Sequence, residues 1–451
     1  MNQQLRRIAK TIAQQTVGRI PPPASRLTGR LACDGGTPVR NTRFRPWAKY
    51  HSSNLGPWLT EVGPRFRKIF LSGQEGTPQV QAKEFAQRWA EYCGCRYGLL
   101  VSHGTDALRI ALAAVLDHDG LDYGGEVIIP NFSFVASANA ALDRRFGVAL
   151  VDVDPETLLL DPKRVEEAII PGRTRAVMPV HLFGQPADMT SFQVVAQKHG
   201  LKIVEDAAQA QGSEWETGRV GSLGDAAAFS FQAFKNLCCG EGGALTTNDQ
   251  NIFERAHMMH DVGRPLTDAE RWRHVTLGWN CRATEYQAAL LSYRFGRFEA
   301  EQERRRQNFI TLRELLKDTT CVKPLAIQRG VRRHGMHMFP MRYFPENCGD
   351  LSFKDFLIAA QAEGTPIYQA YNATISAQPA TQKLMSKHPD FIRLLPTPVS
   401  DRAVNGVGYI PHEIFLGTEE DMADIAAALT KVQRHYGAGI KGKETRAEQA
   451  A

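Results

Sequence analysis

The sequence predicts an α/β protein: a mostly parallel seven-stranded sheet flanked by helices, followed by a smaller C-terminal α+β domain. Three observations carry this. Short β-rich apolar runs recur between residues 99 and 247, and four of the gaps between them hold helical patterns. Strands that alternate with helices read as βαβ units and a parallel sheet. The runs are also nearly continuous in apolar residues, as suits strands covered on both faces.

Strands are expected at 99–101, 126–130, 148–153, 176–181, 202–207, 227–231 and 243–247, and helices at 105–116, 133–142, 162–169 and 188–199. The gap before 243 is too short for a crossover helix. Its two strands therefore pair antiparallel, or the final strand sits at an edge. A charged helical pattern over 282–319 (RFEAEQERRRQNF) predicts a long connecting helix, with the arginines of ERRRQ on a solvated face. A strand-like HMFPMRY and helices near 353–363 and 419–435 complete the chain. The domain organisation expected is an N-terminal arm over 1–50, a large domain over 51–281, the connecting helix, a small domain over 320–436 and a disordered polar tail over 437–451.

With 451 residues, 43% hydrophobic and 23% charged, the chain can bury a sizeable core. A net charge of +6 is mild at this length and calls for no nucleic-acid partner. No acidic residue precedes Asp34, whereas Arg6, Arg7, Lys10, Arg19, Arg26 and Arg30 do. That leader lacks the apolar stretch of a secretory signal. It reads as a solvated arm with a short amphipathic helix at 4–16. No run approaches the ~18 apolar residues of a membrane span. The eight cysteines include Cys93 and Cys95 as C-x-C and the adjacent Cys238 and Cys239, spacings that fit no zinc pattern. Buried free thiols in a reducing, cytoplasmic setting are expected, and no metal site.

The chemistry sits at strand ends. In SFQAFKNLCCGEGGALTTND (230–249), Lys235 follows a strand and has small, apolar neighbours. Desolvation lowers a lysine's pKa and makes it a nucleophile for Schiff-base formation. In VEDAAQAQG (204–212), Asp206 closes an apolar strand. A buried carboxylate needs a partner. A backbone N–H or an arginine would serve, and so would the protonated ring nitrogen of pyridoxal 5'-phosphate, the partner that goes with a Schiff-base lysine. Gln209 lies within reach of that ring's phenolic oxygen. In VSHGTDALRIAL (101–112), Gly104 and Thr105 open a helix whose free N–H groups suit a phosphate, and Ser230 adds a hydroxyl. In NFSFVASANAA (131–141), Phe134 follows a strand end, where it either packs in the core, the better reading by itself, or stacks on the ring. His181, in MPVHLFG, is either a core histidine or a substrate-side one. GAGIKG at 437–442 has dinucleotide-loop spacing but no preceding strand, so that reading fails.

These stretches, with GGTPVR (35–40), GDAAAFSFQAFKNLCCGEGGALTTND (224–249) and LGWNCRATEYQAAL (277–290), resemble the DegT–DnrJ–StrS sugar aminotransferase family of fold-type-I pyridoxal-phosphate enzymes. The resemblance implies Lys235 as the Schiff-base lysine and Asp206 at the pyridine nitrogen. It places Gln209 near the ring hydroxyl and Phe134 on the ring, with Gly104, Thr105 and Ser230 at the phosphate. It also implies that Asn280 reaches the phosphate of a neighbouring subunit, hence a homodimer with shared active sites. His337 and His412 enter as substrate contacts by this resemblance alone. FSFQ, VGRPLTDAER (262–271) and VGYIPHEIFLG (407–417) resemble the branch of glutamine:scyllo-inosose aminotransferases and aminohydroxybenzoate synthases. Phe234, Cys238 and Cys239 depart from the small or polar residues common around the family's lysine. The expected reaction moves an amino group from glutamine or glutamate to a keto-cyclitol or keto-sugar. The alternatives are a pyridoxal-phosphate dehydratase of the aminohydroxybenzoate synthase kind and a non-catalytic regulator on the same fold.

Overall fold

Each β-rich run becomes a strand, and five of the seven lead into a helix. The computed structural model describes residues 29–41, 58–76, 79–267 and 272–448, with backbone alone from 438 onward. The amphipathic helix expected at 4–16 lies outside the described residues.

Helices α1 (Gly63–Ser72) and α2 (Val80–Cys93) lead to β1 (Tyr97–Val101). Then come α3 (Gly104–Leu116), β2 (Glu126–Pro130), α4 (Ala136–Asp143), β3 (Gly147–Val151), α5 (Pro162–Ala168), β4 (Thr174–Val177) and α6 (Met189–His199). Strands β5 (Lys202–Asp206), β6 (Ala226–Ser230) and β7 (Gly243–Thr247) precede α7 (Gln250–His260). The carboxylates of Asp161, Asp188 and Asp249 cap α5, α6 and α7. Gly94, in the left-handed region at φ 82°, ends α2.

The long helix α8 (Glu285–Leu315) opens on a capping box between Thr284 and Gln287. After it come β8 (Val322–Pro324), β9 (Met338–Tyr343), α9 (Phe353–Ala362), β10 (Tyr368–Gln369), α10 (Pro379–Lys387), β11 (Ile392–Leu394), α11 (Pro398–Val404), β12 (Val407–Pro411) and α12 (Glu419–Glu448). Helix α12 continues to Glu448, inside the stretch expected to be a disordered tail. Its sequence there holds no proline, so nothing forces a break.

The large sheet has eight strands in the order β1-β7-β6-β5-β4-β2-β3-β11. Strand β7 pairs antiparallel with both β1 and β6, so it is interior and not at an edge. The eighth strand corrects the seven expected. Strand β11 adds to β3 in parallel from far along the chain. Its Arg393 places Nε 3.0 Å from Oε2 of Glu126, a fully buried carboxylate on β2. That pairing draws the stretch back to the large sheet, where Ile375 and Ile392 join the core. A second, antiparallel sheet, β8-β9-β12-β10, forms the smaller layer.

Helix α8 touches both cores. Its Phe295 and Phe298 pack with Trp89 and Tyr92 of α2, while Phe309 and Leu312 belong to the core under the small sheet. The solvated face expected for ERRRQ is therefore wrong at its centre. Arg305 is fully buried, Arg304 donates to the Gly417 carbonyl at 3.0 Å, and Arg306 stays largely at the surface with Glu303. All eight cysteines are free, and all but the exposed Cys33 are buried. Among the described residues no helix is long and apolar enough to cross a membrane, and no cluster of side chains could hold a metal ion.

Candidate active site

Four strands, β1, β2, β5 and β6, deliver their following residues to the carboxyl end of the sheet. After β1, His103 is extended (φ −150°, ψ 158°) and offers no side-chain cap to α3. The first amides of α3 are thus left for another acceptor, and they carry the positive end of the helix dipole. Gly104 lies against β6: a Cβ built on it would sit 2.7 Å from the Ser230 Cβ. Only glycine lets the helix start come this close. Thr105 is exposed in the first turn of α3, and Ser230, against Gly104, is buried.

Asp206 ends β5 in near-complete burial, which raises its carboxyl above the usual range. It accepts from the Ser137 hydroxyl at 2.7 Å and from the Ala208 amide at 3.2 Å, both of which pull the other way. Ser137 lies in the first turn of α4 and is in turn 3.2 Å from Ser133. Phe134 stands on the same turn with 59% of its surface exposed, open to an apolar ring. Gln209 is fixed at both ends: its Oε1 accepts from the Phe183 amide at 2.8 Å, and its Nε2 donates to the Tyr371 hydroxyl at 3.1 Å.

Lys235 follows β6 in a tight turn. Phe231 anchors that turn in the core, edge-on to Phe85 and Trp89 at 5.7 and 5.3 Å between ring centroids. The turn closes through Lys235 N–H to the Gln232 carbonyl at 2.9 Å and Ala233 N–H to the Gly240 carbonyl at 2.8 Å. Lys235 itself is half-buried. Burial lowers its ammonium to about 8, with Asp206 opposing the drop. A lysine at that value is about one-tenth neutral at pH 7, far more than an ordinary lysine, as a nucleophile requires.

The structure thus sets Gly104, Thr105, Ser230, Asp206, Gln209, Phe134 and Lys235 at or just past the carboxyl ends of these strands. Asn280 stands apart. It lies on a strand-like segment bridged to Asp261, is exposed, and makes no side-chain hydrogen bond among the described residues. His181 is a core residue: it is fully buried, bonded to Glu205 and to the Ala187 amide. Sequence reasoning missed Ser137, whose four-residue spacing from Ser133 at a helix start was the available signal. It missed Tyr371, which no local pattern ties to Gln209. It also missed Asn236 and Gln302, which lie behind the lysine turn.

These residues fit pyridoxal 5'-phosphate. The uncapped α3 start and the Gly104–Ser230 contact leave room and donors for a phosphate, and the half-exposed Phe134 offers a face for a ring. The buried Asp206 carboxyl wants a cationic partner, and Lys235 is an activated amine. Residues 64–430 match the DegT/DnrJ/EryC1/StrS aminotransferase family. An L-glutamine:2-deoxy-scyllo-inosose aminotransferase of Streptomyces paromomycinus is 34% identical over 431 residues, covering 91% of this chain and 99% of the relative. The enzyme of that name from Streptomyces fradiae is 34% identical over 429 residues, with the same coverage of 91% and 99%. The crystal structure of 3-amino-5-hydroxybenzoic acid (AHBA) synthase superposes with a TM-score of 0.74 at 28% identity, covering 82% of this chain and 96% of that one. By these matches across nearly its whole length, the chain belongs to the DegT/DnrJ/EryC1/StrS family of aminotransferases, enzymes that work with pyridoxal 5'-phosphate.

Proposed function

We propose that the protein transfers the amino group of glutamine to a keto-cyclitol of the scyllo-inosose kind, with Lys235 as the cofactor anchor. The observation that carries this is the pairing of a lysine lowered to about 8 with a buried, raised carboxyl at Asp206, at the ends of neighbouring strands. The bound cofactor supplies an electron sink for the carbon that carries the amino group. Lys235, at its Nζ, would accept and return the proton that the reaction moves. Asp206 keeps a proton on the ring nitrogen, and Ser137 and the Ala208 amide hold Asp206 in place. Gly104, Thr105 and Ser230 bind the phosphate, Phe134 covers one ring face, and Gln209 orients the ring oxygen. The glutamine donor and cyclitol acceptor are supported by the names of the relatives, which match over almost their full length.

Asn280 serves the site of a second copy, so the working unit is a homodimer. Exposed apolar residues at the site and near Asn280, Phe234 at 74% and Leu277 at 55%, support a surface that another subunit covers. The buried free thiols support a reducing, cytoplasmic setting.

The purified protein should show a visible cofactor band that glutamine bleaches, and Lys235→Ala should lose both band and turnover. Incubation with glutamine and 2-deoxy-scyllo-inosose should give a product in which nitrogen replaces the ketone oxygen, read by mass spectrometry. The likeness to AHBA synthase supports a second reading, a dehydratase, for which the product would show loss of water instead. A wild-type protein without a visible band after addition of pyridoxal 5'-phosphate rules out both, and a band that glutamine leaves unchanged argues for a non-catalytic role.

A further inference from the structure

The Gln209 amide is oriented by the backbone, and that orientation runs on to a tyrosine. Phe183 is buried in a left-handed turn (φ 60°, ψ 4°). A residue other than glycine holds such a backbone only where its surroundings over-determine it. Its N–H donates to Gln209 Oε1 at 2.8 Å, so the oxygen end of the amide is fixed. The Nε2 end can only donate, and it does so to the Tyr371 hydroxyl oxygen at 3.1 Å.

Tyr371 reaches this place from the smaller layer. The segment after it is pinned to the end of β2: the Ile375 amide donates to the Asn131 carbonyl and the Ser376 amide to Asn131 Oδ1, both at 2.9 Å. The Tyr371 ring stands edge-on to Phe132, 5.1 Å between centroids. Burial pushes its hydroxyl above the usual tyrosine range; Gln209 and the Phe134 backbone oppose the rise, and Asp206 and Tyr409 add to it. The group is therefore a neutral phenol at physiological pH. A hydrogen bond that lowers a phenol's pKa is one donated to its oxygen. The oxygen thus takes donors from Gln209 and from the Phe134 amide. Its single O–H points away from both, and nothing among the described residues accepts it.

Three residues face this hydroxyl, and each has a part at the cofactor: Asp206 at the ring nitrogen, Gln209 by the ring oxygen and Phe134 on the ring face. Along the ring edge from that nitrogen, which is protonated, to that oxygen, the oxygen is the one hydrogen-bond acceptor. We propose that Tyr371 is a cofactor-binding residue that donates its O–H to the ring oxygen of pyridoxal 5'-phosphate, with the Gln209 amide holding the hydroxyl in that sense. This rests on the placement of the cofactor between Lys235 and Asp206. It gives the smaller layer a direct hold on the cofactor, beside the contacts from the large sheet.

The test is a cycle between one protein atom and one ligand atom. Cofactor-free protein is titrated with pyridoxal 5'-phosphate and with its 3-deoxy analogue, in which hydrogen replaces the ring hydroxyl. Tyr371→Phe should raise Kd for the first about tenfold and leave the second within about twofold. Equal losses on both ligands, or none on either, overturn the proposal. In the loaded protein the visible band reports the proton shared between the lysine nitrogen and the ring oxygen. A donor on that oxygen favours the form without the proton, so Tyr371→Phe should move the band's pH midpoint up by about one unit. Asp206 and Tyr409, the other titrating groups facing the hydroxyl, are kept in both proteins. A midpoint at the wild-type value overturns the proposal. Should Tyr371→Phe fail to fold, 3-fluorotyrosine in place of Tyr371 decides: its more acidic hydroxyl is a stronger donor, so the midpoint should fall, and an unchanged one overturns the proposal as well. A wild type that binds neither ligand overturns the reading of the cofactor site itself. A wild type that binds pyridoxal 5'-phosphate, with equal losses in the variant, overturns this assignment alone.

Discussion

His181 Nε2 lies 3.0 Å from Oε2 of Glu205, and both side chains are fully buried. The Ala187 amide donates to His181 Nδ1 at 2.9 Å, so the ring is a neutral Nε2–H tautomer spending both nitrogens on structure. Glu205 also accepts from the amides of Gly221, Leu223 and Gly224 at 3.1, 2.8 and 2.9 Å. It locks a turn behind β5 while its neighbour Asp206 faces the other side of the sheet. His181→Leu should therefore cost about 2–3 kcal/mol in urea unfolding, since it strips one partner from a buried carboxylate. Cofactor affinity in the folded fraction should change by less than about threefold. A variant of wild-type stability without turnover would show instead that His181 meets substrate.

Lys235 is held below its unfolded value, so between about 8 and 10.5 the unfolded chain binds more protons than the folded one. Stability of the cofactor-free protein should rise with pH across that window. Lys235→Met should be more stable than wild type at pH 7 by about 1–2 kcal/mol after allowance for solvent around the half-buried chain. The difference should close by pH 11. Paired melting curves at both pH values check this.

Asp206 is raised, the opposite sign for an acid. The folded protein binds its proton more tightly, and wild-type stability falls as pH climbs through the carboxyl's titration. Asp206→Asn keeps the shape, should remove that fall in the cofactor-free protein, and should retain the visible band. Turnover should drop about 100-fold or more, because an amide does not hold the ring nitrogen protonated. Single-turnover bleaching with glutamine is the measurement.

Gly104→Ala puts a methyl group 2.7 Å from the Ser230 Cβ, in backbone that has no room to yield cheaply. The helix start must move off β6. The cradle should then lose about 1–3 kcal/mol of cofactor binding, roughly tenfold or more in Kd by absorbance titration. Restoring space with Ser230→Gly in the same chain should recover part of the loss.

Much of this site was legible because its residues close apolar runs. Asp206, Ser230 and Lys235 each follow a stretch that can only be a buried strand, and Gly104 opens a helix right after another. Partners reached across the fold were not legible. Tyr371 meets Gln209 from 162 positions away, and Ser137 meets Asp206 from 69. Arg305 looked solvated because it stands among charged neighbours; its burial follows from the loop at 415–417 crossing α8, where Asn308 donates to the Phe415 carbonyl at 2.8 Å. Strand β11 was hidden by its brevity, since three residues show no period.

Helix α8 is a single rod rooted in both hydrophobic cores, and the chain crosses between the two sheets again on its way into and out of β11. Hinged closure needs few, pliable connections. Here several stiff ones act in parallel, so the two layers move as one body. Admission of a ketone and release of an amine must then fall to side chains and loops at the rim, and substitutions that loosen the rim should change exchange rates before they change chemistry.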